Sequence, residues 1–176
     1  QEIRVTTLSA LEPFPGALLW DVGAGSGSIG IEWMRMDHRC QAIAIEANPE
    51  RAENITQNSC KLGTPNLKIV IDKAPSILST LPTPDAIFIG GGITSKAMIK
   101  QCWDFLRAGG CLVANVVTTE GEEEVLKNQK KLGGHLTRIS ISNLEKIGSK
   151  KAWRPSMQVT QWKVKKPIQM LRESII

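Results

Sequence analysis

The stretch Leu18–Gly30, LLWDVGAGSGSIG, decides how the rest of the chain is read. The run Ala17–Val22 is apolar except for Asp21 and meets a glycine turn. Such a run is how a strand buried on both faces of a parallel sheet reads. Ser28–Asp37 follows with Ile29, Trp33 and Met36 at helical spacing, so the turn sits between a strand and a helix. The turn itself is Asp21-x-Gly23-x-Gly25-x-Gly27. Its glycines reach positive φ and leave no Cβ between backbone and ligand. Free N–H groups at the helix start, where Ser28 stands, suit an anionic group such as a carboxylate. Asp21 at the strand end suits an ammonium group. A ligand carrying both, an amino-acid moiety, fits this turn.

Working outward, strand and helix alternate. Gln41–Glu46 reads as the second strand, and Glu46 at its end is placed to take both hydroxyls of a ribose. Pro49 opens a polar helix that runs to about Leu62 and is closed by Gly63. Leu67–Ile71 is the third strand, with a short helix after Pro75. Asp85–Ile89 is the fourth strand, Thr94–Arg107 a helix, Cys111–Val116 the fifth strand and Glu120–Leu132 another helix. Then the alternation stops. Leu136–Ile147 and Met157–Val164 both read as strands, with only nine residues between them. A parallel crossover needs about a dozen or more, so these two should pair antiparallel. The expected fold class is α/β: a mostly parallel, seven-stranded sheet with a terminal antiparallel hairpin. The run of glutamates at 120–124 and lysines at 127–131 complements the dipole of its helix, with Glu123–Lys127 as an i,i+4 pair.

The size fits this plan. A chain of 176 residues is about one domain, since domains run roughly 100–200 residues, and residues 1–176 are expected to form one. The composition, 41% hydrophobic and 22% charged, excludes disorder, collagen and a simple coiled coil. No apolar run approaches the roughly 18 residues of a membrane span. The first residue is Gln1, not Met, so the chain is expected to be part of a longer polypeptide. Cys40, Cys60, Cys102 and Cys111 show no CxxC or Cys/His cluster, which reads as reduced, buried thiols of a cytoplasmic protein with no metal site. The net charge of +5 favours an anionic partner, nucleic acid or a polycarboxylate or phosphate ligand.

The turn also contains Gly25-x-Gly27-x-x-Gly30, the dinucleotide pattern, with its acid 16 residues on at Glu46. Asp21 directly before the glycines and the terminal antiparallel hairpin favour S-adenosylmethionine over a nicotinamide. The hairpin is the seventh-strand addition of Rossmann-like, class I methyltransferases. The candidate cofactor set is Asp21, Gly23, Gly25, Gly27, Ser28, Glu46, Ala47, Ala74 and Gly90.

The chain resembles the precorrin carbon-15 methyltransferase/decarboxylase family of cobalamin biosynthesis. The matching pieces are Glu2-Ile3-Arg4, WDVGAGSGSIGIEW at Trp20–Trp33, IFIGGG at Ile87–Gly92 and LVANVVTTE at Leu112–Glu120, then Gly148–Ser149 and VTQW at Val159–Trp162. The final pattern looks like the form fused to a carbon-5 methyltransferase domain. Asp72-Lys73-Ala74-Pro75 departs from the Gly-Asp-Ala-Pro of many relatives, which leaves the Ala74 backbone as the adenine contact. The resemblance implies S-adenosylmethionine as cofactor, a tetrapyrrole (precorrin) polycarboxylate as substrate, methylation at carbon 15 with loss of an acetate carboxylate, and a homotetramer.

Methyl transfer from a sulfonium is an in-line displacement, served by alignment, and a conjugated macrocycle can act as electron sink. The protein must supply a shaped, water-excluding cleft and anchors for carboxylates. Arg4, Lys96, Lys150 and Arg154 are the candidate anchors, on the expectation that they lie near the strand C-termini. Gly90–Gly92 after the fourth strand would let a flat macrocycle lie against backbone, with Gly91 nearest the reaction and Gly92 on the substrate side. Asn115 and Thr118 end the fifth strand and could bond substrate or cofactor, Asn115 as a catalytic candidate. Three rival classes stay open: a nucleic-acid methyltransferase, a non-catalytic binding module and a nicotinamide oxidoreductase. Against the first, Gly90–Gly92 stands where amino-directed nucleic-acid enzymes often carry Asn/Asp-Pro-Pro-Tyr, and the chain has no tyrosine, leaving few aromatics for base stacking.

Overall fold

The computed structural model describes residues 2–168; Gln1 and residues 169–176 of the expected domain lie outside the described residues. A helix α1 (Glu2–Leu11) leads into β1 (Leu18–Val22), α2 (Ser28–Met36), β2 (Gln41–Ile45), α3 (Pro49–Lys61) and β3 (Lys68–Val70). A 3₁₀ turn at Ser76–Thr80 precedes β4 (Ala86–Ile89), α4 (Met98–Phe105), β5 (Cys111–Val116) and α5 (Thr119–Leu132). Four strands follow: β6 (His135–Ile139), β7 (Ser142–Ile147), β8 (Lys150–Pro155) and β9 (Val159–Lys165).

Seven of these strands form one sheet in the order β3-β2-β1-β4-β5-β9-β6. The first five run parallel, and β9 runs antiparallel to both β5 and β6. The apolar strands carry side chains to both faces, and alternation sorts them into two cores. Trp20, Val22, Ile43, Ile45, Ile87 and Ile89 meet Met98, Ile99, Cys102 and Val125 on one face. Leu19, Ala42, Ala44, Ala86 and Phe88 meet Leu8, Leu11, Ile29, Trp33 and Ile55 on the other. Trp33 and Trp162 are fully buried, and the Trp162 indole donates to Gly133 O at 3.0 Å.

The expected antiparallel pairing of the last strands is present, but Leu136–Ile147 is two strands. Its first half pairs with β9 in register, ending at Ile139 opposite Val159. There β9 begins, so nothing in the sheet is left for the second half. The chain folds back on itself at Gly148, whose φ is 59°, and β7 and β8 form a separate two-stranded arm. Helix α4 starts at Met98 rather than Thr94, because Gly92 and Ala97 hold left-handed φ of 73° and 64°. Cys60 is exposed while the other three cysteines are buried, and all four are free thiols. The charge run sits as expected, acids in the first turn of α5 and Lys130 and Lys131 in its last, although Lys127 pairs with Glu124 at 3.4 Å, i,i+3. No helix among the described residues is long and apolar enough to cross a membrane.

Candidate functional site

Strand β1 lies between β2 and β4, so the loops after these strands part in opposite directions and leave a crevice at the carboxyl ends. A cavity of about 370 Å³ occupies it. Backbone hydrogen bonds stitch its walls. Gly23 N and Ala24 N both donate to Ile45 O, at 2.9 and 3.2 Å, and Gly90 N donates to Val22 O at 2.9 Å. The glycine turn faces the Gly90–Gly92 loop at close range: a Cβ on Gly23, whose φ is 69°, would lie 2.8 Å from the Cα and N of Gly91. No side chain on Gly23 fits between the two loops.

Glu46 is 6% exposed and lines the cavity. Its Oε2 accepts from Gly25 N at 2.9 Å and its Oε1 from Asn48 N at 3.0 Å. A carboxylate oxygen has a second lone pair, so both oxygens retain an acceptor site for a vicinal diol. Gly25 N is therefore committed to Glu46 and is not a free anion ligand. Asp21 does not line the cavity. It is 1% exposed, its Oδ2 accepts from Gly30 N at 2.9 Å, and its Oδ1 is buried without a partner among the described residues. Burial pushes this carboxyl up to about 7; the Gly30 bond works against that and the Glu46 charge adds to it.

Of the residues singled out from the sequence, Gly23, Gly25, Glu46, Ala47, Ala74, Gly90, Gly91 and Gly92 line the cavity. Gly27 and Ser28 open α2 and shape the turn without lining it. Lys96 is exposed beside Ser95, which does line it. Asn115 is drawn into a side-chain network instead: it donates to Thr7 Oγ1 at 2.8 Å and accepts from Gln161 Nε2 at 2.9 Å. Thr118 caps α5, accepting from Gly121 N at 3.2 Å. The basic anchors are not gathered at the strand C-termini. Arg4 lies 3.8 Å from Glu32 across α1 and α2. Lys150 and Arg154 belong to the arm, where Arg154 meets Glu145 at 3.4 Å, because the chain leaves the sheet before reaching them. Arg51, Asp72, Lys73, Ser95 and Met98 also line the cavity and were not among the residues expected there. Lys73 stands out, since its departure from the Gly-Asp-Ala-Pro pattern marked the position. No cluster of His, Cys, Asp or Glu suited to a metal occurs among the described residues.

A parallel sheet extended by an antiparallel β9, a glycine turn after β1 and an acid after β2 define the class: a Rossmann-like fold of the S-adenosylmethionine-dependent methyltransferases. Within that class the chain matches the family model for the precorrin methyltransferase domain over residues 1–166, and it belongs to that family. The precorrin-6Y C(5,15)-methyltransferase [decarboxylating] of a Sinorhizobium species is 51% identical over 162 residues, covering 92% of this chain and 39% of that protein. The chain thus spans about two fifths of such relatives. The cobalt-precorrin-6B C(15)-methyltransferase (decarboxylating) of Salmonella typhimurium is 29% identical over 163 residues, 90% of this chain and 84% of that protein. The crystal structure of the C-terminal domain of precorrin-6Y C5,15-methyltransferase from Rhodobacter capsulatus superposes with a TM-score of 0.87 at 40% identity, covering 94% of this chain and 89% of that one.

Proposed function

We propose that this chain is an S-adenosylmethionine-dependent enzyme that methylates a precorrin at carbon 15 and removes the carboxylate of its ring C acetate side chain, in cobalamin biosynthesis. The observation that carries the reading is the cavity in which Glu46 and the glycines of two adjoining loops converge, in a chain of this family. S-adenosylmethionine supplies an electrophilic methyl group on a sulfonium. The chain's part is to hold and align. Glu46 takes the ribose hydroxyls with the lone pairs left free by Gly25 N and Asn48 N. Gly23 and Gly25 bring backbone close to the amino-acid end, and Ala47 and Ala74 flank the nucleoside. Gly90, Gly91 and Gly92 present a wall without side chains, against which a flat macrocycle lies near the methyl group. Lys96 at the rim suits a substrate carboxylate. Such a carboxylate paired with a partly exposed base is worth about 1 kcal/mol.

The family resemblance further supports a homo-oligomer, a cytoplasmic location and a carbon-5 methyltransferase domain, fused or separate, as partner. Residues 1–176 form the carbon-15 domain in this reading. The test gives the protein S-adenosylmethionine with a late precorrin in one tube and with RNA in another, followed by mass spectrometry. The expected product has gained one methyl group and lost one carbon dioxide. Methylated RNA beside an untouched precorrin overturns the assignment.

A further inference from the structure

Three acids are buried among the described residues: Asp21, Glu46 and Asp85. Asp85 meets the Arg107 guanidinium and accepts from Leu18 N at 2.9 Å. Glu46 accepts two backbone N–H groups. Asp21 has one, from Gly30 N, and its Oδ1 has no partner among the described residues. Its neighbours in register on β2 and β4 are Ala44 and Phe88, and α2 offers it only the Gly30 backbone. Glu46 is the charged group that acts on it, and its charge has the same sign. A carboxylate with one donor, no counterion among the described residues and 1% exposure favours its neutral form. Gly30 packs closely here, since a Cβ there would lie 3.4 Å from Asp21 Oδ2 and 3.3 Å from Leu67. Asp21 therefore fastens the first turn of α2 to the end of β1, directly beneath the glycines of the cavity.

We propose that Asp21 is a positioning residue for the glycine turn, protonated in the ligand-free protein below neutral pH, and that it releases its proton to solvent when a cationic ligand enters the adjoining cavity. This rests on the reading of that cavity as the S-adenosylmethionine site. A bound sulfonium or ammonium stabilises the carboxylate; the O–H bond of the Asp21 carboxyl breaks, the electron pair stays on oxygen and the proton passes to buffer. Affinity then rises with pH up to neutrality, by at most tenfold per unit. Titration calorimetry with S-adenosylmethionine at pH 7, in phosphate and in Tris, counts that proton. The expected result is proton release by the wild type, less release by Asp21→Asn, and affinity at pH 7 about fivefold or more weaker in the variant, whose amide oxygen still accepts from Gly30 N but carries no charge for the cation. Equal proton counts in the two proteins overturn the proposal and leave the cofactor reading standing; absence of any binding by the wild type overturns both. Should the variant not fold, carbon-13 NMR of the wild-type Asp21 carboxyl decides. It is expected to titrate near neutrality in the free protein and at lower pH with S-adenosylmethionine. A carboxyl already ionised at pH 5 in the free protein overturns the proposal.

Discussion

Single positions in the cavity carry separable burdens. Glu46→Ala removes the proposed ribose acceptor and strands Gly25 N and Asn48 N, which it now receives at 2.9 and 3.0 Å. S-adenosylhomocysteine affinity is expected to fall by about 1–3 kcal/mol, read by calorimetry, and an unchanged affinity would place the ribose elsewhere. Gly23 and Gly91 face each other but differ in what a side chain would meet. At Gly23 a methyl group would strike backbone at 2.8 Å in a left-handed conformation, whereas at Gly91 it would find only Gly23, at 3.8 Å. Gly23→Ala should therefore disrupt the turn, with a loss of about 1–3 kcal/mol in stability and of cofactor binding. Gly91→Ala should keep thermal stability and S-adenosylhomocysteine affinity close to wild type and lower turnover of the tetrapyrrole alone. A large drop in melting temperature for Gly91→Ala would show that its role is structural.

At the scale of elements, the polar knot of Thr7, Asn115 and Gln161 joins α1, β5 and β9. Thr7 and Gln161 are buried; Asn115→Ala takes one bond from each, leaving Thr7 with Ile3 O at 2.7 Å and Gln161 with Thr7 Oγ1 at 3.4 Å, and should cost about 0.5–1.5 kcal/mol. Urea unfolding is expected to show a lower midpoint with an unchanged slope. A variant with wild-type stability and no activity would restore Asn115 as a catalytic candidate. The strands of the parallel sheet were legible because burial on both faces writes an unbroken apolar run, and the gathering of Glu46 and the glycines around one cavity because close backbone approach after a strand demands glycine and an acid at the neighbouring strand end faces the same crevice. Helix α1 was not legible: its buried face is Thr7, Leu8 and Leu11, too little apolar contrast to write a helical period. The twelve residues at 136–147 could not show their break, since only the start of β9 at Val159 decides where pairing stops. Arg51 and Met98 reach the cavity from the first turns of α3 and α4 and Asp72 from the loop after β3, placements which no local pattern records.

For the whole molecule, the arm is the part that the fold does not account for. β7 and β8 bond to each other and to no other strand, and a lone two-stranded hairpin is marginally stable in water. Leu144 and Trp153 stand opposite each other on one face, 51% and 70% exposed. Lys146, Lys150, Lys151 and Arg154 against the single acid Glu145 give the arm much of the chain's net charge of +5. An exposed indole beside an exposed leucine is an apolar patch that association would cover, and we propose this hairpin as the contact of the proposed homo-oligomer. Light scattering at tens of micromolar is expected to show an assembly larger than the 19.3 kDa chain. Trp153→Glu, which sets a charge into that patch, should shift the protein toward monomer. It should leave S-adenosylhomocysteine affinity unchanged, because Trp153 does not line the cavity. Raised salt should not dissociate the wild-type assembly, because an apolar contact is not screened and like-charged arms repel less as the Debye length falls from about 10 Å at 0.1 M to about 3 Å at 1 M. A wild-type protein that is monomeric throughout this range, or a variant that assembles as the wild type does, would move the contact away from the arm.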